Sequence, residues 1–132
     1  MKKLRVIDTN ILIRLLTKDD LEQYQKVYAL FQHEDIFLIE TVLLETELVL
    51  IYSYQFEKHN IIQAFRQLFS LPNVFVENPQ LMNNALDWAE QGLDFLDALH
   101  LAKSKTESIF LTFDQKFIKR SQGIGDCEVK LP

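Results

Sequence analysis

The sequence predicts an α/β fold with a parallel sheet, and three observations support this prediction. Short apolar runs rich in β-branched residues alternate with longer segments in which apolar residues recur at helical spacing. Gly and Pro occur only three times each, which argues against a β-sandwich built on tight turns. Of the 132 residues 48% are hydrophobic, so we expect one core and a single domain over residues 1–132.

The predicted elements alternate between strands and helices. Strands are predicted at residues 4–7, 36–39, 74–76, 109–111 and, as an edge strand, 128–131. Helices are predicted at residues 9–16, 19–33, 41–55, 60–69, 79–91, 95–105 and 115–120. Right-handed crossovers between four to five such strands give a central parallel sheet with helices on both faces.

Composition excludes several classes of protein. The single cysteine, Cys127, can form neither an internal disulfide nor a C-x-x-C metal site. The few glycines do not form the common phosphate-binding loops. No apolar stretch is long enough to span a bilayer and no signal peptide is evident, so we expect a cytoplasmic protein without a membrane partner.

The charge distribution is uneven. A net charge of −5 disfavours a general nucleic-acid coat protein. Six basic residues nevertheless lie among the last thirty: Lys103, Lys105, Lys116, Lys119, Arg120 and Lys130. This segment is therefore either a local nucleic-acid contact or an ordinary solvated surface.

Two carboxylates stand where predicted strands end. Asp8 follows the first strand and Asp114 follows the fourth. Parallel strands bring their carboxyl ends to one edge of a sheet, which is where α/β proteins bind ligands. Either residue could instead cap the helix that follows it.

Further carboxylates lie within apolar helices. Asp97 is embedded in an apolar helical segment, although Asp94 as its N-cap would make Asp97 an ordinary first-turn acid. Glu45 and Glu47 both lie on apolar faces of the 41–55 helix, and periodicity does not choose between them.

Carboxylates that lie close together repel and raise one another's pKa, so they require a counter-charge. A hard cation such as Mg²⁺ or Mn²⁺ suits a set of oxygen ligands, and it can activate water for attack on a phosphodiester. His100, one turn after Asp97, is expected to be a structural helix residue.

Four segments resemble the PIN-domain family, and most closely its VapC-type toxin ribonucleases of type II toxin–antitoxin systems. They are VIDTNIL (6–12), TVLLE (41–45), GLDFLDALHLA (92–102) and LTFD (111–114). The resemblance implies a three-layer α/β/α fold and an endoribonuclease that depends on Mg²⁺ or Mn²⁺. It also implies a metal-binding catalytic set, which favours Glu45 over Glu47: Asp8, Glu45, Asp97 and Asp114. Asn10, Thr112 and Asp94 are expected to support these ligands.

The same resemblance implies a homodimer that a small cognate antitoxin neutralises. We expect the RNA backbone to contact one arginine near Asp8 and a basic cluster near the C-terminus: Arg14, Lys116, Lys119 and Arg120. Residues 51–53 lack the basic residue that relatives often carry there.

Two alternatives compete with the nuclease. A PIN fold could bind RNA or a protein partner without cutting. A phosphotransferase of the haloacid dehalogenase type also begins with a strand and an aspartate, but it needs a second aspartate where this chain has Asn10.

Overall fold

The computed structural model describes residues 3–132 and confirms the α/β class. Over that range the chain forms seven helices and five strands, and every strand pair is parallel. None of these helices combines the length and the apolar composition needed to cross a membrane. The residues divide into two compact units, Met1–Pro79 and Gln80–Pro132. The single domain over residues 1–132 stays a prediction.

The first unit carries four helices and a three-stranded sheet. The helices are α1 (Thr9–Thr17), α2 (Leu21–His33), α3 (Glu40–Tyr54) and α4 (Lys58–Ser70). The strands β1 (Arg5–Val6), β2 (Ile36–Phe37) and β3 (Val74–Phe75) lie in the order β1-β2-β3. Because these strands are parallel, their carboxyl ends share one edge, and α1 begins at that edge directly after β1.

Two polar side chains fix where elements of the first unit begin. The carboxylate of Asp20 accepts a hydrogen bond from the backbone N–H of Gln23 at 3.1 Å, so Asp20 caps α2. The side-chain amide of Asn73 donates to the carbonyl oxygens of Phe31 (2.6 Å) and Glu34 (2.7 Å). These bonds hold the start of β3 to the end of α2.

The core of the first unit is built largely by α1, α3 and α4. Its fully buried side chains include Leu12, Leu43, Leu50, Ile61 and Phe65. The sequence predicts that α3 is apolar and buried on nearly all sides. Only one face of α3 is buried, however, because Leu48 and Tyr52 are exposed, Tyr52 to 76%.

The second unit contains three helices and two strands. The helices are α5 (Pro79–Glu90), α6 (Phe95–Lys103) and α7 (Gln115–Arg120). The strands β4 (Ile109–Leu111) and β5 (Glu128–Lys130) pair in parallel, with Phe110 opposite Val129. Gly92 lies two residues after α5 with a φ of +121°, and the sequence predicts it as the glycine that ends this helix.

All five predicted strands are present, and each is two or three residues long. Their hydrogen bonds form a three-stranded ladder in the first unit and a two-stranded ladder in the second. The sequence predicts one central sheet of four to five strands. The number and the direction of the strands therefore agree with the prediction. Their hydrogen bonds, however, form two ladders instead of one.

Candidate functional site

Asp8 lies between β1 and α1, where the sequence places it. Its backbone is extended (φ −92°, ψ 177°), and Oδ1 accepts a hydrogen bond from the N–H of Ile11 at 3.1 Å. Asp8 is therefore the N-cap of α1. The cap uses one carboxylate oxygen, and Oδ2 has no hydrogen-bond donor among residues 3–132. A cap and a ligand for a cation are thus compatible roles for this exposed side chain.

Glu45 lies on α3 and faces the start of α1. Its carboxylate accepts a hydrogen bond from the hydroxyl of Thr9, the buried first residue of α1. One cavity of about 190 Å³, which we call the acidic cavity, is lined by Asp8, Thr9, Asn10, Glu45 and Val49. Three of the predicted site residues, Asp8, Asn10 and Glu45, are therefore neighbours in the first unit.

Glu47 does not line the acidic cavity. Its side chain is buried on another side of α3, and the adjacent Thr46 is fully buried. The apolar pattern of α3 gives no reason to prefer either glutamate. The hydrogen bond from Thr9 is the feature that directs Glu45 toward Asp8.

The second unit brings Asp94, Asp97 and Asp114 within electrostatic range of one another. Asp97 is half-buried in the first turn of α6. Burial raises the pKa of its carboxyl above the usual 3.8, and the negative charges of Asp94 and Asp114 raise that pKa further. His100 and Arg120 oppose this shift. The second unit therefore concentrates negative charge around Asp97.

Asp94 and Asp114 differ in how their carboxylates are used. Asp94 occupies the N-cap position of α6, but it makes no side-chain cap bond and lies 4.0 Å from the guanidinium of Arg120. Asp114 caps α7 by accepting from the N–H of Phe117 at 3.1 Å. Its own N–H donates to the hydroxyl of Thr112 at 3.0 Å, so Thr112 positions Asp114 through the backbone.

His100 has a packing role, as predicted. Its ring stacks on Phe110 at 5.7 Å between centroids, and Phe110 in turn meets Phe117 edge-on at 5.3 Å. The three rings join α6, β4 and α7 within the second unit.

The guanidinium of Arg14 is hydrogen-bonded to neighbouring side chains of the protein. Its Nε donates to the side-chain oxygen of Gln23 at 2.7 Å, and its Nη1 donates to Asp19 at 3.1 Å. Asp19 also accepts hydrogen bonds from the hydroxyls of Tyr54 (2.6 Å) and Thr17 (3.0 Å). The Tyr54 bond is the main reason that the pKa of Asp19 lies below its usual value, and Arg14 adds to the effect.

The basic cluster predicted near the C-terminus lies on α7. Lys116, Lys119 and Arg120 are all exposed, and Arg120 lies near Asp94 as described above. The cluster stays a predicted RNA contact.

A second cavity, of about 300 Å³, adjoins the acidic cavity and shares Asp8 and Asn10 with it. We call it the α1/α2 groove. Ile11 and Val27 supply its apolar surface, and Arg14, Gln23 and Lys26 supply its polar surface. Gln23 and Lys26 are not predicted as site residues from the sequence, where their one signal is that they lie near Val27 on the helix that follows α1.

The donor chemistry fits Mg²⁺ or Mn²⁺, because every predicted ligand offers carboxylate oxygen. Burial, and after it the charges of Asp94 and Asp114, raise the pKa of Asp97, and a divalent cation would offset the repulsion between these carboxylates. No group of three or more His, Cys, Asp or Glu side chains that could hold a metal ion occurs within the described part of the chain. The four-carboxylate site therefore stays a prediction.

A family model described as PIN domain matches residues 5–122, a range that contains every predicted site residue. No curated protein sequence matches the chain.

Proposed function

The chain belongs to the PIN domain family, which has a nuclease-type fold, and from this premise we propose that it is a metal-dependent endoribonuclease. It hydrolyses RNA phosphodiesters and uses Mg²⁺ or Mn²⁺. The observation that carries the proposal is the acidic cavity, in which Asp8 and Glu45 lie together at the carboxyl-end edge of the three-stranded sheet.

The proposed ligands are the four carboxylates that the sequence resemblance implies: Asp8, Glu45, Asp97 and Asp114. When bound, the cation supplies positive charge that acidifies water and offsets the charge developing on the phosphodiester. The protein's own contribution is to hold the carboxylates before the cation arrives.

Both carboxylates of the first unit are held by donors of α1. The N–H of Ile11 orients Asp8, and the hydroxyl of Thr9 orients Glu45. Asn10 lies beside both in the acidic cavity and can donate an amide hydrogen bond to a phosphate oxygen. In the second unit, the N–H of Phe117 orients Asp114.

We further propose that the protein is the toxin of a toxin–antitoxin pair, acts in the cytoplasm, forms a homodimer, and is neutralised by a small cognate antitoxin. These roles follow from the sequence resemblance. Exposed apolar side chains on α2 and α3 supply surface that a protein partner would cover: Leu21, Tyr28, Leu48 and Tyr52.

Cleavage of total RNA by purified, antitoxin-free protein tests the nuclease. The reactions contain Mg²⁺, Mn²⁺ or a chelator, and they include Asp97→Asn and, as a matched control, Asp126→Asn, which replaces an exposed aspartate of the same unit. The proposal expects discrete fragments that require metal, persist in Asp126→Asn and vanish in Asp97→Asn. RNA binding without cleavage, unaffected by chelator or by Asp97→Asn, would instead identify a non-catalytic PIN-fold binding module.

A further inference from the structure

We propose that the α1/α2 groove binds the nucleobase next to the phosphodiester that is cut. This inference rests on the proposed ribonuclease function and adds a subsite to it. The groove encloses about 300 Å³, which is at the lower end of the volumes typical of small-molecule sites.

The composition of the groove suits a flat heteroaromatic ring. The half-buried Ile11 and the largely buried Val27 both line the groove, and together they form an apolar wall against which the face of a base can pack. Gln23 and Arg14 lie on the same groove and carry the amide and guanidinium groups that hydrogen-bond the edges of bases.

Arg14 is prepared for such a contact. The hydrogen bonds to Gln23 and Asp19 use Nε and Nη1, and Nη2 has no acceptor within residues 3–132. Asp19 is fixed in turn by the hydroxyls of Tyr54 and Thr17. A side chain that is already ordered loses little conformational entropy when it binds.

The charge balance favours a base over a phosphate as the occupant. Arg14 is neutralised by Asp19, and Lys26 lies 3.9 Å from Glu22. Asp8, which also lines the groove, adds a negative charge. A phosphate in the groove would compete with Asp19 for Arg14 and with Glu22 for Lys26, whereas a neutral base leaves both ion pairs in place.

The position of the α1/α2 groove indicates that the bound base belongs to the nucleotide next to the cleaved phosphodiester. Asp8 and Asn10 line both the groove and the acidic cavity. A phosphodiester held at Asp8 therefore places its neighbouring nucleoside at the mouth of the groove.

Gln23→Ala and Gln23→Trp test this inference. The first removes the amide and releases Nε of Arg14, and the second also fills the groove. Gln25→Ala is the matched control, because Gln25 is exposed on the same helix but does not line the groove. Circular dichroism and thermal unfolding establish that each variant is folded.

Two readouts are measured on the full chain. Fluorescein-labelled hexaribonucleotides of A, C, G or U are titrated in chelator, and cleavage sites in total RNA are mapped with Mg²⁺ or Mn²⁺. We expect the wild type to prefer one base in both assays. Both Gln23 variants should lose that preference and bind the favoured oligonucleotide about tenfold more weakly, whereas Gln25→Ala should match the wild type in both assays.

The failures are distinguishable. If the wild type cleaves and the Gln23 variants keep its base preference and affinity, the groove inference is wrong and the nuclease stands. If the groove variants change only the association of protein copies, a protein contact replaces the base as the occupant. Wild-type protein that neither binds the oligonucleotides nor cleaves RNA overturns both proposals.

Discussion

Thr9 donates its hydroxyl hydrogen bond to the carboxylate of Glu45, a residue 36 positions further along the chain. The bond joins the first residue of α1 to the middle of α3 and so directs Glu45 into the acidic cavity beside Asp8. Thr9 is itself buried, so the surrounding side chains hold its hydroxyl in place. The position of Glu45 in the site thus depends on a neutral hydroxyl from another element.

Thr9→Val removes this hydroxyl and keeps the side-chain volume. We expect RNA cleavage to fall about fivefold to tenfold, because a hydrogen bond worth about 1 kcal/mol no longer positions Glu45. Thr9→Ser restores the hydroxyl and should restore most of the rate. Single-turnover cleavage at saturating enzyme measures the effect. Equal rates for Thr9→Val and wild type would show that Glu45 needs no positioning.

Asp97→Asn should stabilise the metal-free protein at neutral pH. The native pKa of Asp97 lies above 3.8, so the native state binds its proton more tightly than the unfolded state does. Charging Asp97 therefore costs native stability as pH rises through that raised pKa, and the variant avoids the cost. The advantage should shrink as pH falls toward 3.8. Urea unfolding in chelator between pH 3.8 and neutral pH measures this advantage, and an unchanged midpoint would contradict the cost of charging Asp97 in its half-buried position.

The helices and strands were largely predictable because their signals are local. The prediction for α7 matches the observed bounds, Gln115–Arg120, and so does that for β4, Ile109–Leu111. The helix predicted from residue 19 begins instead at Leu21, because Asp20 caps it. Acidic residues are favoured both at the N-cap position and in the first turn of a helix. The sequence alone therefore does not show which aspartate caps α2.

The choice between Glu45 and Glu47 was not predictable from periodicity. The faces of α3 that carry Glu45 and Glu47 are both apolar, so the helical pattern does not show which glutamate faces the site. The deciding contact comes from Thr9 on α1, which is distant in sequence. Gln23 and Lys26 were missed for a related reason, since an exposed polar residue on an amphipathic helix gains meaning only when the neighbouring cavity is known.

Mg²⁺ or Mn²⁺ should raise the unfolding temperature of the wild type. A cation that binds the native state stabilises it by mass action, and the shift should grow with cation concentration. Asp8→Asn should lose most of the shift, whereas Asp20→Asn, a helix cap on the same unit, should keep it. Differential scanning fluorimetry over a cation titration measures the shift. An equal shift in wild type and Asp8→Asn would place the cation elsewhere.

Tyr54→Phe should lower the stability of the protein above pH 3.8 and make that stability less dependent on pH in the acid range. The Tyr54 hydroxyl is the largest cause of the lowered pKa of Asp19, and a lowered native pKa gives stability that is present above pH 3.8 and lost as pH falls through the native pKa. The variant should therefore be less stable than wild type above pH 3.8, with the difference closing at lower pH. Urea midpoints from pH 2 to pH 7 measure this effect. Tyr52→Phe, an exposed tyrosine on the same helix, should match wild type throughout.

Replacing Lys116 and Lys119 together with Gln should weaken RNA binding and flatten its salt dependence. Each lysine that contacts a phosphate adds about 0.7 to the slope of log affinity against log salt for a single strand, so the double variant should lose about 1.4. Base preference should not change, because phosphate contacts fix position without reading sequence. Lys105→Gln with Lys130→Gln removes the same charge from outside α7 and serves as the control. Fluorescence anisotropy with a labelled RNA at several salt concentrations gives the slopes. Equal slopes for the two double variants would mean that the effect is one of net charge and that α7 makes no phosphate contact.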